Sequence, residues 1–131
     1  MRYAETTAGI TVEVEPHFLE EQSSPADGHY VWAYSVRIAN HSAARVQLLS
    51  RHWWITDALG RTQEVRGPGV VGEQPHIAPG EAFEYASGAP LPTASGMMVG
   101  SYQLIGEDGR QFDVAVPAFS LDSPHEPMTV N

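Results

Sequence analysis

Residues 66–85 read RGPGVVGEQPHIAPGEAFEY, and this stretch decides between two kinds of fold. Its glycines Gly67, Gly69 and Gly72 form a G-x-G-x-x-G string, which cradles a dinucleotide pyrophosphate when a helix follows directly. Pro75 and Pro79 fall where the first turns of that helix would run, and proline inside a helix removes a hydrogen bond and clashes with the preceding turn. The stretch therefore predicts a glycine-rich crossing between two β-strands.

Another kind of anion site stays open for this loop. Its glycines leave backbone N–H groups free for a phosphate, although Pro68 contributes none. Arg66, immediately before the glycines, is the best candidate for holding the charge of such an anion. The site would comprise Arg66, Gly67, Gly69, Val71 and Gly72.

The rest of the chain reads as short strands separated by turn signals. Apolar and polar residues alternate in Ile10–Val14, which predicts a half-buried strand, and Pro16 places that strand at a sheet edge. Further strands are predicted at 29–40, 46–56, 61–66, 82–87, 97–105 and 110–116, with a loop at 88–96. This pattern of about seven strands without a convincing helix predicts an all-β fold, an antiparallel β-sandwich in which residues 1–131 form one domain. We expect the tail to fray after about Leu121.

Two details refine this fold. The alternation within Val46–Thr56 is unclear, so this strand is either covered on both faces or interrupted by a bulge. Tyr102 stands early in the penultimate strand, as in the tyrosine corner of immunoglobulin-like folds, and Trp53 or Trp54 would be the central aromatic residue. Because the chain has no cysteine pair, fibronectin type III-like is the better description of the expected sandwich.

Composition restricts the partners. The 131 residues carry 16 acidic side chains against seven arginines and no lysine, which gives a formal net charge of −9. Such a field repels polyanions, so nucleic acid and anionic membranes are poor candidates. The first residues hold no apolar run suited to a signal peptide, and no stretch approaches the length of a membrane span, so we expect a cytoplasmic protein.

Four segments together resemble the ApaG family, over nearly the whole chain: residues 46–57 (VQLLSRHWWITD), 67–75 (GPGVVGEQP), 77–85 (IAPGEAFEY) and 96–102 (GMMVGSY). The resemblance implies a fibronectin type III-like sandwich and an association with cobalt and magnesium homeostasis. Similar domains occur in eukaryotic F-box and DNA polymerase-interacting proteins, which implies a protein-binding module. Relatives often carry a cysteine where this chain has Ala89, so no thiol chemistry is carried over.

A weaker candidate is a metal site on the first predicted strand. Glu13, Glu15 and His17 stand two residues apart, on one face of the strand if Pro16 does not break the alternation. Oxygen and nitrogen ligands on one side could hold a divalent ion. The alternative is a solvated strand face that discourages pairing with another sheet.

Catalytic motifs are lacking in the sequence, and we expect neither enzymatic activity nor a cofactor. Arg51 and His52, beside Trp53 and Trp54, would form a binding spot. The alternative is that Arg51 pairs with an acidic neighbour inside the sandwich and that His52 is simply a strand residue. Five apolar residues near the glycine loop would divide between the core and a contact surface: Val70, Val71, Ile77, Met97 and Met98.

Two hypotheses about function follow. The first is a non-enzymatic protein-interaction module that binds through the glycine loop and nearby strand edges. Its partner is a protein of unknown identity, and a second copy of the chain, giving a homodimer, is one candidate. The alternative is binding of a small phosphate-bearing anion, such as pyrophosphate or a nucleotide, at Arg66–Gly72.

Overall fold

A computed structural model describes residues 1–125, which form nine β-strands arranged in two antiparallel sheets. The strands are β1 (Tyr3–Thr7), β2 (Ile10–Phe18), β3 (Tyr30–Asn40), β4 (Val46–Asp57), β5 (Thr62–Pro68), β6 (His76–Ile77), β7 (Ala82–Leu91), β8 (Gly96–Gly106) and β9 (Gln111–Leu121). The predicted all-β sandwich is confirmed. Two strands were not predicted, β1 and the two-residue β6, because both are short.

The first sheet has the strand order β1–β2–β3–β7, and the second has the order β5–β4–β8–β9 with β6 beside β4. The prediction that β2 lies at a sheet edge is therefore wrong, since β1 and β3 flank it. Pairing with β1 extends only from Ile10 to Val14, so Pro16 lies beyond the part of β2 that β1 covers. A proline is tolerated there because one side of the strand has no pairing strand among the described residues.

The strand β7 continues through residues 88–91, where a loop was predicted. Of the described strands, β7 pairs only with β3, and so it forms an edge of the first sheet. An edge strand accepts Pro90, because one of its sides needs no ladder hydrogen bonds.

The core lies between the facing sheets and is rich in aromatic residues. Trp53 packs edge-on against Tyr34, Tyr102 and Phe119, with ring centroids 5.6–6.1 Å apart. Tilted and edge-on arrangements suit the quadrupoles of aromatic rings. Trp53 thus occupies the central aromatic position, while Trp54 is 38% exposed on the outer face.

A β-bulge in β4 explains the unclear alternation of its sequence. Leu48 pairs with Leu104, but Ser50 pairs with Gln103, so Leu49 is the extra residue. Before the bulge the even-numbered Leu48 faces inward, and after it the odd-numbered Arg51 and Trp53 do. Without it, a period of two would have turned Trp54 inward. Of the two alternatives, the bulge is the correct one.

Helical structure within residues 1–125 is limited to two three-residue 3₁₀ turns, Glu20–Gln22 and Pro25–Asp27. No α-helix follows the glycines, as the two prolines predicted. None of the helices in this part of the chain could cross a membrane.

The segment after β9 is held to the sandwich as far as it is described. The Trp32 indole N–H donates to the Asp122 carbonyl at 2.7 Å, and the Ser123 hydroxyl donates to the Ala94 carbonyl at 2.6 Å. Most of the tail predicted to fray, residues 126–131, lies outside the described residues.

Candidate functional site

The glycine loop, residues 66–74, closes in a tight turn at Val70–Glu73. The Val70 N–H donates to the Glu73 carbonyl at 2.8 Å, and the Glu73 N–H donates back to the Val70 carbonyl at 2.9 Å. Both central residues have positive φ, 44° at Val71 and 81° at Gly72. Asn and Gly favour this backbone, and valine is a rare choice for it.

Gly69 is fixed by crowding. A Cβ atom placed on this residue would lie 2.2 Å from the Glu73 carbonyl oxygen, closer than non-bonded atoms approach. Its φ of 59° also favours glycine. The loop can therefore fold back on itself only with glycine at this position.

The bulge in β4 anchors the loop. The extra residue Leu49 presents its carbonyl oxygen to the loop, where it accepts hydrogen bonds from the Gly69 N–H at 2.8 Å and the Gln74 Nε2 at 2.9 Å. The Leu48 N–H also donates to the Pro75 carbonyl at 3.0 Å. Bulges often free a backbone group for such use, and here the freed group holds both ends of the loop.

Arg51 reaches the loop from inside the sandwich. Its Nη1 donates to the Pro68 carbonyl at 3.0 Å and the Gly69 carbonyl at 2.9 Å. The guanidinium also packs over Gly67, where a Cβ atom would lie 3.0 Å from both Nη1 and Nη2. The glycine at position 67 thus makes room for the arginine.

The charge of Arg51 is not matched by a carboxylate. Five of the seven arginines form ion pairs with Asp or Glu side chains. Arg51 forms none with the described residues, so the expected acidic neighbour inside the sandwich is absent from that part of the chain. The remaining arginine, Arg45, is exposed on a loop.

Next to Arg51 the two sheets leave a pocket of about 370 Å³. Its lining combines the guanidinium with hydroxyl groups and apolar loop residues, and contains no carboxylate or imidazole: Tyr34, Arg51, Pro68, Val70, Val71, Gly72, Tyr85 and Ser87. Val71 and Gly72 are exposed and form the rim, while Tyr34 is buried.

The tyrosines at this end of the sandwich remain neutral hydrogen-bonding groups. Burial raises the pKa of Tyr34, against the opposing effects of the Ser87 hydrogen bond and the Arg51 charge. Burial also raises the pKa of Tyr85 and Tyr102. These two hydroxyls hydrogen-bond to each other across the sheets at 2.5 Å, and within residues 1–125 the Tyr102 hydroxyl makes no bond to the backbone of the kind expected of a tyrosine corner.

Arg66, the cation predicted for the anion site, lies on the outer face of β5. Its Nε donates to the Glu64 carboxylate at 3.0 Å and to the His52 ring at 3.2 Å. The hydrogen bond with His52, followed by that from Arg66, holds the pKa of Glu64 below its usual range. Of the five predicted loop residues, Gly67, Gly69, Val71 and Gly72 lie around the pocket or the Arg51 side chain, whereas Arg66 is engaged elsewhere.

The three side chains considered for a metal site are not assembled into one. Glu15 lies 3.2 Å from Arg2 and 3.1 Å from His17, and Glu13 stands opposite Arg37 in the neighbouring strand. Within residues 1–125, no group of three or more His, Asp or Glu side chains is placed to hold a metal ion.

The five apolar residues divide between the core and the surface, but Met97 and Met98 do not lie near the glycine loop, since they pair with Thr56 and Ile55, far along β4 from the Leu49 carbonyl that anchors the loop. Val70, Ile77 and Met98 are buried in the core, whereas Val71 is 57% and Met97 52% exposed. Sequence reasoning did not identify the exposed Val99, which pairs with Trp54 on the outer face of the second sheet.

Comparison with known proteins identifies relatives over nearly the full chain. Residues 20–106 match the family model described as the ApaG domain. Protein ApaG of Paramagnetospirillum magneticum is 63% identical over 98% of this chain and 99% of its own length, and Protein ApaG of Rhodospirillum centenum is 61% identical over 94% and 95%. The crystal structure of the putative ApaA protein from Bordetella pertussis superposes with a TM-score of 0.86 at 52% identity, covering 88% of this chain and 94% of that one.

Proposed function

Because this chain belongs to the ApaG domain family, we propose that it is a non-enzymatic protein-interaction module whose contact surface is the glycine loop. The observation that carries this proposal is the state of Val71. Its side chain is 57% exposed at the tip of the loop, and its backbone has a φ of 44°.

This conformation is unfavourable for valine. A β-branched residue crowds its own backbone at positive φ, and residues held there cost on the order of 1–3 kcal/mol. Among residues 1–125, the other non-glycine residue at positive φ is Ala8, which is not β-branched. Because Val71 is 57% exposed, its burial within the fold offsets only part of this strain, so folding alone does not account for valine at this position. A partner that covers the side chain would supply one, because burial of a valine contributes about 1.5–3 kcal/mol.

The chemistry of the surrounding groups favours binding over catalysis. The pocket beside Val71 contains a guanidinium and hydroxyl groups, without a carboxylate or imidazole that could serve as a general base. We take the cytoplasm as the compartment in which the contact forms. We also propose that the family's association with cobalt and magnesium homeostasis acts through the protein partner.

Site-specific cross-linking tests this proposal. A photoreactive amino acid is placed at position 71 or at position 59, and the protein is irradiated in a lysate of the source organism. Leu59 is the matched control, because it is an apolar loop residue that is 72% exposed and has ordinary φ. We expect the photoreactive residue at position 71 to yield a discrete cross-linked product, and an excess of unlabelled wild-type protein to suppress this product. Position 59 should yield no such product. Equal products from both positions would contradict the proposal.

A further inference from the structure

We propose that the pocket between the sheets binds the carboxylate group of a ligand, with Arg51 as the residue that recognises it. This site differs from the glycine-loop anion site centred on Arg66, and it does not depend on the protein-interaction role. The pocket presents hydrogen-bond donors, carries a positive charge and has the size of a small ligand site.

The guanidinium of Arg51 is held in place by the loop, but only one of its three nitrogens donates hydrogen bonds to the described residues. Its Nη1 is committed to the Pro68 and Gly69 carbonyls, whereas Nε and Nη2 make no hydrogen bond with the described residues. These two nitrogens form the side of the fork that binds two oxygen atoms in parallel. The two backbone hydrogen bonds and the contact with Gly67 hold the fork in place before any ligand arrives.

The remaining polar groups in this region are suited to an acceptor. Tyr34, Tyr85 and Ser87 contribute hydroxyl groups to the lining. Tyr85 is bonded to Tyr102 and Tyr34 to Ser87, but each of these hydroxyl pairs uses only one of its two protons, so one O–H per pair can still donate. One step further along the inward face of β4, the buried Trp53 Nε1 has no acceptor among the described residues. An unpartnered guanidinium edge and hydroxyl groups, without a carboxylate in the lining, favour a ligand that brings its own negative charge.

Charge and size select a carboxylate over a phosphate. The lining carries one positive charge, which a monoanionic carboxylate neutralises. A phosphate monoester carries about −1.5 to −2 and would leave negative charge uncompensated inside a protein whose net charge is −9. The volume of about 370 Å³ is at the small end of ligand pockets, and the tyrosine rings with Val70 and Val71 suit an apolar body.

Sodium benzoate is the probe, and benzamide is its uncharged control of nearly the same shape. Each is titrated into ¹⁵N-labelled protein while the Arg51 side-chain Nε–H and the amides of Val70, Val71 and Gly72 are followed by NMR. We expect saturable shifts with benzoate, with a Kd on the order of 1 mM for so small a ligand, and none with benzamide. Inorganic phosphate should bind at least about tenfold more weakly than benzoate.

Two substitutions locate the site. Arg51→Gln should weaken benzoate binding at least about tenfold, because hydrogen bonds to a charged group are lost. Arg66→Gln is the matched control and should change it less than about twofold, since Arg66 lies outside the pocket lining. If Arg51→Gln does not fold, as judged by its amide spectrum, Arg51→Lys takes its place. That variant keeps the charge but loses the fork, so it should also weaken binding severalfold.

A peptide pair identifies the source of the carboxylate. Acetyl-Gly-Gly-Phe is compared with its C-terminal amide in the same titration. Preference for the free acid assigns the pocket to a peptide C-terminus, and binding of benzoate without that preference assigns it to a small organic acid.

The proposal is overturned if saturating benzoate moves none of the four NMR signals, if benzamide binds as well as benzoate, or if phosphate binds as tightly as benzoate. It is also overturned if Arg66→Gln removes benzoate binding while an Arg51 variant retains it.

Discussion

Gly69 and Gly72 share the left-handed backbone region, but different contacts surround them. Gly69 is buried against the backbone of Glu73, and its N–H and carbonyl are both hydrogen-bonded. Gly72 is exposed, and a Cβ atom there would meet nothing within 4 Å. Only the backbone conformation, with a φ of 81°, therefore opposes a side chain at position 72.

Alanine substitutions should separate these two effects. Gly72→Ala should lower the free energy of unfolding by about 1 kcal/mol, the cost of a left-handed alanine. Gly69→Ala should lower it by more than about 2 kcal/mol, because its Cβ adds a clash with backbone that has no flexible side chain to move. Urea denaturation of both variants measures the difference. Equal losses would show that crowding at Gly69 relaxes without penalty.

At the scale of elements, the bulge in β4 determines the site. It turns Arg51 toward the inter-sheet space and frees the Leu49 carbonyl that holds the glycine loop.

Gln74→Ala removes the side-chain donor to the Leu49 carbonyl. We expect a loss of about 0.5–1 kcal/mol in the free energy of unfolding and faster amide exchange at Val70 and Glu73. Gln63, an exposed glutamine of β5 with no side-chain hydrogen bond in the described structure, supplies the control Gln63→Ala. Unchanged exchange in Gln74→Ala would show that the loop is held without this anchor.

The same elements show what the sequence could predict. Alternation and turn residues gave the sandwich and most strands, and the two prolines excluded a helix after the glycines. The alternation in β4 pointed to a bulge or double coverage without choosing between them, because phase within a strand depends on its neighbours. The sequence predicts Arg66 as the cation of the loop because Arg66 directly precedes the glycines, whereas Arg51 reaches the loop only through the bulge in β4. The edge position of β2 was wrong because β1, a short polar strand, gave no apolar signal.

For the whole molecule, the hydroxyls of Tyr85 and Tyr102 join the two sheets. Their pKa values are raised by burial, so the folded state keeps its protons when unfolded tyrosines, with a pKa of about 10, lose theirs. The contribution of these two tyrosines to stability is therefore constant below about pH 10 and falls as the pH rises above it. The chain contains no lysine and no cysteine that would titrate in the same range.

The double variant Tyr85→Phe, Tyr102→Phe should show a shallower loss of unfolding free energy between about pH 9 and pH 11 than the wild type. Its stability at neutral pH should fall by about 1 kcal/mol, since one inter-sheet hydrogen bond is removed. Denaturant unfolding at several pH values, with tyrosinate absorbance as a second probe, gives both quantities. If the unfolding free energy of the variant depends on pH as steeply as that of the wild type, the loss of stability at alkaline pH arises from other tyrosines.

The account as a whole holds that the protein gives up folding stability at the loop tip to present an apolar side chain to a partner. The most direct test is the free energy of unfolding of Val71→Gly. Release of the strained backbone should outweigh the added entropy of an unfolded glycine, so we predict a stability equal to the wild type or up to about 2 kcal/mol higher. A loss of more than about 1 kcal/mol would contradict the account, because it would show that the Val71 side chain is needed for folding.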